Sequence, residues 1–172
     1  MRYPFSRALS AIAASAPVLV SVAIVVSAQA QSAQPAPAPA GPSPTKQALE
    51  NRKATYTLIG NYFRYFGAVA KGTVTYDEAE ATKRASRIAF LSGLLDETFP
   101  EGSNFGEPDS KAKADIWSSR ADFDKKLKDF QAHAQAFAET NAKEKGASDT
   151  FKAAIASLAQ DCKGCHETYK VK

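Results

Sequence analysis

The sequence predicts an all-α protein, an antiparallel four-helix bundle, on three observations. Apolar and aromatic residues recur at steps of three and four through four long stretches, the spacing of one helix face. Segments rich in glycine, proline and asparagine separate the stretches, so successive helices turn back on their neighbours. No stretch alternates with a period of two over a useful length, which leaves no strand to pair.

The first helix is expected over about 45–71, with Leu49, Tyr56, Ile59, Phe63, Phe66 and Ala70 on one line and Arg52 among them. Gly72 ends it. The second is expected to start at Thr75, which with Glu78 makes a capping box. It carries Ala81, Ala85, Ile88, Leu91 and Leu95 and stops before Pro100. A loop, PEGSNFGEPDS, follows. The third helix is expected from Asp109 or Ser110 to just before Gly146, with Ile116, Phe123, Leu127, Phe130, Ala134 and Phe137 in heptad spacing. The fourth starts near Ser148 and carries Phe151, Ile155, Leu158, Cys162, Cys165 and Tyr169. The body, residues 45–172, is long enough for one domain with one core.

The chain ahead of the body reads differently. Residues 1–30 have the form of an export signal: Arg2 and Arg7, a long apolar run, then AQA at 28–30 as a small-residue cleavage site. Pro17 and that site argue against an uncleaved membrane anchor. Residues 31–44 form a Pro/Ala-rich linker with no side chains to build a core. The expected location is the periplasm, with no stable membrane contact after cleavage.

Losing the signal alters the charge. The full chain has 22 basic and 18 acidic residues. Without Arg2 and Arg7 the balance is 20 against 18, which does not point to a nucleic-acid partner. The run KKLK at 125–128 reads as a solvated helix face.

Three of the chain's four Cys and His side chains fall within DCKGCHETYKVK at the end of the sequence. A dithiol redox site would follow a strand, and none is expected here. A structural zinc site needs a fourth ligand at close spacing, and the only other histidine is His133. Covalent haem attachment uses all three residues and needs nothing else nearby. At i and i+3, Cys162 and Cys165 share the face of Ile155 and Leu158, and His166 sits on its edge. Two thiols one turn apart reach the two vinyl groups of one haem c, and the imidazole becomes the axial iron ligand.

The segment CKGCHETYK, with GAVAKG and YD after the first helix, DIW opening the third and an early arginine in the first, resembles the cytochrome c′ family over roughly residues 46–172. The resemblance implies a four-helix bundle with one covalently bound haem c per chain. The arrangement with a downstream methionine ligand is not expected, because six residues follow His166 and the sole methionine is Met1. His133 lies at the solvent boundary of the third helix and reads as a surface residue rather than a sixth ligand. The resemblance places the distal pocket residue at Tyr56, where relatives carry a bulky apolar residue or a ligating methionine. Tyr56 is either a plug over the iron or a phenolate ligand. A guanidinium on an apolar stripe needs an anion, and a haem propionate is the partner expected for Arg52. Lys170 matches a basic residue near the proximal face in relatives. Phe99 and Trp117 pack against the porphyrin or form ordinary core.

A second stripe on the first helix, Leu58, Tyr62, Tyr65 and Val69, exceeds what one bundle face needs. It suggests contact with another chain or with the 96–108 loop. Relatives commonly pair through helices one and two, so a homodimer is expected. The expected function is single-electron transfer with redox partner proteins through a five-coordinate iron. Binding of nitric oxide or carbon monoxide is the alternative. A helical interaction module with a Cys162–Cys165 disulfide is a third class. No acid–base set or phosphate loop points to an enzyme.

Overall fold

A computed structural model describes residues 41–103, 109–146 and 148–172. The expected signal, residues 31–40 of the linker and residues 104–108 of the loop lie outside them.

The chain opens with α1, Pro44–Ala70. Ser43 Oγ accepts from the Lys46 amide at 3.3 Å, and Pro44 presets the first helical φ at a position whose amide has no helical partner. The linker therefore stops one residue earlier than expected. Gly72, at φ +71°, reverses the chain after α1, and its amide bonds Val69 O at 3.0 Å.

Helix α2, Glu78–Gly93, begins later than its expected capping box. Asp77, not Thr75, is the cap, and its carboxylate accepts from the Glu80 amide at 2.7 Å. Asp77 is held there from α1, because the Tyr65 hydroxyl takes its amide at 2.8 Å. That tertiary contact decides between two adjacent capping candidates. After Gly93 the chain tightens into a 3-10 segment, Leu94–Thr98, closed by the Thr98 hydroxyl on Leu95 O.

The third predicted helix is two elements. One turn, α3 (Asp115–Ser118), is followed by a break at Ser119 (φ −116°, ψ 43°) and then by α4, Arg120–Glu144. Residues 111–113 are not helical. They lie antiparallel to the end of the chain, with the Lys113 amide on Tyr169 O at 2.9 Å and the Val171 amide on Lys111 O at 2.8 Å. Helix α4 ends at Lys145, in the left-handed region with φ 47°, just before Gly146. Helix α5, Asp149–Tyr169, is capped by Ser148 Oγ on the Phe151 amide.

The four long helices form an all-α bundle. Contacts run in opposite directions along each neighbouring pair: Asn61–Arg84 and Tyr65–Asp77 for α1 and α2, Thr82–Asn141 and Ser92–Gln131 for α2 and α4, and His133–Asp161 and Asp122–Tyr169 for α4 and α5. The expected core positions of α4, Phe123, Leu127, Phe130, Ala134 and Phe137, are all buried. Phe66, Phe137 and Phe151 meet at the end opposite the Cys-His motif, with Phe66 and Phe137 edge-on at 4.7 Å. Ala70 is exposed, and Phe63 and Leu91 are only partly buried.

Most of the second α1 stripe is consumed inside the chain. Val69 is buried, and Tyr62 and Tyr65 pack beside α2 under the guanidinium groups of Arg87 and Arg84. Leu58 remains exposed at 41%.

Candidate functional site

Helices α1 and α5 touch less than the neighbouring pairs, and a cavity of about 680 Å³ lies along them. Its volume falls within the ~300–1,000 Å³ usual for cofactor sites. Cys162, Cys165 and His166 line it from α5, and Arg52 and Tyr56 from α1. All five residues expected at the site thus meet in one place. Phe123, Leu127 and Phe130 of α4 supply apolar lining.

The two cysteines are partly buried free thiols. Burial, with Asp161 next, pushes the Cys162 thiol up to about 11. Burial also raises Cys165, partly offset by Lys126. A dithiol redox centre needs a depressed thiol, so these values go against that reading. Burial, with Lys170 next, lowers His166 and favours the neutral imidazole, which is the form that binds metal.

Arg52 is 5% exposed, the least accessible cation at the site. Its Nε and Nη2 both donate to Thr98 O, at 3.0 and 2.8 Å, and Nη2 also reaches Ser103 Oγ at 2.7 Å. Its guanidinium carbon lies 4.3 Å from the Phe99 ring centre and 5.6 Å from that of Trp117. Burial brings its pKa down to about 10, so it stays charged at neutral pH. Nη1 is buried and has no hydrogen-bond partner among the described residues. An unsatisfied cationic donor is expensive and calls for an anion. The neutral carbonyls on the other nitrogens supply no countercharge. An apolar cavity with paired thiols, an imidazole and one unmatched cationic donor fits a haem with its propionates.

Tyr56 is pushed well above the ordinary phenol range, mainly by burial and then by Cys165, against a smaller pull from Arg52. The residue is still 37% exposed along the cavity, and a phenolate ligand would need the iron to draw that proton off. Phe99 lines the cavity and meets Tyr56 edge-on at 6.4 Å. Trp117 stands behind Phe99, and its indole nitrogen donates to Pro100 O at 3.1 Å. Lys170 lines the cavity as well. His133 does not: it is exposed and bonds Asp161 Oδ2 through Nδ1 at 2.7 Å.

Sequence reasoning missed the groups that hold these residues. Thr98 and Ser103 meet Arg52 only because the 3-10 segment folds back over α1. Asp122 meets Tyr169 at 2.5 Å across two helices 47 positions apart. No periodicity reports either contact.

Comparison with known proteins decides the family. The model of the family described as cytochrome C′ matches residues 47–170. The chain belongs to the cytochrome c′ family. Cytochrome c-554 of Cereibacter sphaeroides is 33% identical over 133 residues, covering 74% of this chain and 95% of that protein. Cytochrome c′ of Rubrivivax gelatinosus is 32% identical over 130 residues, covering 73% and 95%. Among solved structures, cytochrome c prime from Shewanella frigidimarina superposes with a TM-score of 0.69 at 36% identity, covering 77% of this chain and all of that one. A ferrous variant of the Alcaligenes xylosoxidans protein with bound NO gives 0.67 at 27% identity, covering 77% and 99%. Cytochrome c′ relatives bracket the described bundle from α1 to the end of α5, so the cavity lies wholly within the shared fold.

Proposed function

We propose that this cytochrome c′ is an exported, periplasmic haem-c protein that passes single electrons through a five-coordinate, histidine-ligated iron. One haem c per chain is held by thioethers from Cys162 and Cys165. When bound, the haem supplies a ferric–ferrous couple. His166 offers a neutral imidazole to the iron, and Arg52 offers Nη1 to a propionate. Tyr56 stands on the α1 side as a neutral phenol that obstructs a sixth ligand. Phe123, Leu127 and Phe130 exclude water from the ring.

The observation that carries the reading is the meeting of Cys162, Cys165 and His166 in one cavity with the unmatched donor of Arg52. The test is acid–acetone extraction of natively exported protein, followed by optical spectra of both redox states. Colour retained by the protein, with both sulfhydryls unreactive to alkylation, is expected. A colourless protein with both thiols alkylatable overturns the reading; a colourless protein whose thiols become alkylatable only after reduction overturns it as well and favours the disulfide-type module.

A second reading, binding of nitric oxide or carbon monoxide, is supported by the related structure with bound NO. Rapid carbon monoxide uptake by the reduced protein favours it, while an iron saturated in both states favours the carrier and replaces its five-coordinate iron with a six-coordinate one.

We also propose a homodimer through α1 and α2. Phe90 is 69% exposed on α2, and Leu94, just after it, is exposed as well. With Leu58 they leave apolar surface on this helix pair. Sedimentation should give a dimer mass for the wild type and a monomer for Phe90→Glu. The remaining partners are redox proteins. No helix among the described residues is long and apolar enough to cross a membrane.

A further inference from the structure

His166 lies three residues from the last residue of α5. The final turn of a helix leaves carbonyls without helical partners, and chain termini fray unless tied down. The imidazole of His166 makes no hydrogen bond among the described residues, although a metal-bound histidine is usually aimed by a partner on its second ring nitrogen. Something else has to set its direction.

The turn itself is held from three sides. The Tyr169 hydroxyl donates to Asp122 Oδ2 of α4 at 2.5 Å. The Tyr169 ring is 4% exposed and stands edge-on to Phe123, with centres 5.3 Å apart. Lys113 Nζ donates to Thr168 O at 3.0 Å and to Glu167 O at 3.5 Å, which satisfies carbonyls the helix cannot. The paired segments 111–113 and 169–171 then fix the backbone just beyond.

We infer that Tyr169 and Lys113 are positioning residues for His166, holding the last turn of α5 so that the imidazole keeps one orientation toward the cavity. This rests on the reading of His166 as the axial ligand. Thioethers at Cys162 and Cys165 would fix the porphyrin to the preceding turn, but the angle of the imidazole follows the turn that comes after. Asp122 supplies the anchor on α4, and a charged acceptor makes that hydrogen bond stronger than a neutral pair.

A comparable bond serves as the control. The Tyr76 hydroxyl donates to Asn141 Oδ1 at 3.1 Å, and neither residue lines the cavity. The experiment compares holoprotein variants Tyr169→Phe and Tyr76→Phe by resonance Raman of the ferrous state, thermal melting and amide exchange. Tyr169→Phe should shift or broaden the iron–histidine stretching band and speed exchange at 167–170 several-fold. Tyr76→Phe should lower the melting point and leave that band in place. Asp122→Asn, which keeps an acceptor oxygen, should retain most of the wild-type band, and Asp122→Ala should not. Should Tyr169→Phe fail to fold, Lys113→Met removes the carbonyl contacts alone and is expected to shift the band in the same direction. An unmoved band in Tyr169→Phe, or in Lys113→Met where the former is lost, overturns the inference. Absence of an iron–histidine band in the wild type sinks the ligand assignment itself, which is a separate result.

Discussion

The two ends of the bundle are built from the same four helices and solve different problems. At one end Phe66, Phe137 and Phe151 are at most 1% exposed, and they interlock over the polar chain Tyr76–Asn141–Thr82. At the other, Phe99, Phe123 and Tyr169 form a rim of edge-on rings beside the cavity, with Arg52 reaching across to the 3-10 segment. One end spends its aromatic residues on contact with each other. The other spends them on walls. The comparison assigns stability to the first end and chemistry to the second, and each assignment can be broken by substitution.

The largest effect expected is all-or-none. Cys162→Ser with Cys165→Ser should move all of the pigment into acid–acetone, while the helical circular dichroism persists. Collapse of the helices along with the colour would mean that the closed end cannot stand alone. The next effect is in stability. Phe137→Ala removes a fully buried ring at the closed end and should cost about 3–5 kcal/mol in denaturant melts. Phe123→Ala, on the cavity wall, should cost less and should move the haem spectrum. Equal losses with no spectral change would erase the distinction between the ends.

How much of this was legible in the sequence follows the same division. The closed end is a matter of helical period: Phe66, Phe137 and Phe151 fall on stripes of step three and four, such a stripe has one inward face, and all three are buried. The motif residues were legible because Cys162, Cys165 and His166 carry their chemistry in local spacing. What holds them was not legible. The cap at Asp77 is chosen by Tyr65, the break at Ser119 by no residue that forbids helix, and the partners of Arg52 by the path of the chain through 98–103. Each depends on a contact between distant segments, and a local pattern contains no term for it. The surplus stripe on α1 shows the converse error. Its apolar residues were real, but α2 covers most of them, and only Leu58 is left to face outward.

A moderate effect is expected at the open end, where Arg52 ties α1 to the chain at 98–103. Arg52→Met keeps the length of the side chain but removes the donors on Thr98 O and Ser103 Oγ. The buried Thr98 carbonyl and Ser103 hydroxyl then lose a charged partner, at a cost of about 1–3 kcal/mol. Loss of stability in the protein without haem, measured against wild type in the same state, would show that Arg52 serves the fold. A loss seen only with haem bound would place its whole contribution on the propionate.

A smaller effect is expected at alkaline pH. Burial, followed by the bond to Asp122, raises Tyr169 from 10.0 to about 12. The folded state therefore holds this proton more tightly than the unfolded chain does. By linkage, the contribution is fully present below pH 10 and is lost as pH rises through about 12. Tyr169→Phe should make the fall of the stability profile between pH 10 and 12 shallower, while Tyr76, whose phenol is also raised by burial, keeps its own share of that fall in both proteins. A profile that falls identically in wild type and Tyr169→Phe would show that the Asp122 contact contributes nothing through this proton.

The smallest effect is the most informative about the iron. Tyr56 faces the cavity from α1 opposite the motif on α5, and its proton is held above the ordinary phenol range by burial and by Cys165. A phenolate ligand would need that proton to leave, and ferric charge is the one force that could draw it off. If the ring acts only by occupying space, the hydroxyl is dispensable at the iron. Tyr56→Phe should then leave the ferric spectrum nearly unchanged, whereas Tyr56→Ala should open the site and speed the uptake of carbon monoxide by the reduced protein. A large ferric spin-state change in Tyr56→Phe would instead assign the oxygen to the iron. The cavity wall would then be a ligand, and the division between walls and chemistry at the open end would have to be redrawn around α1.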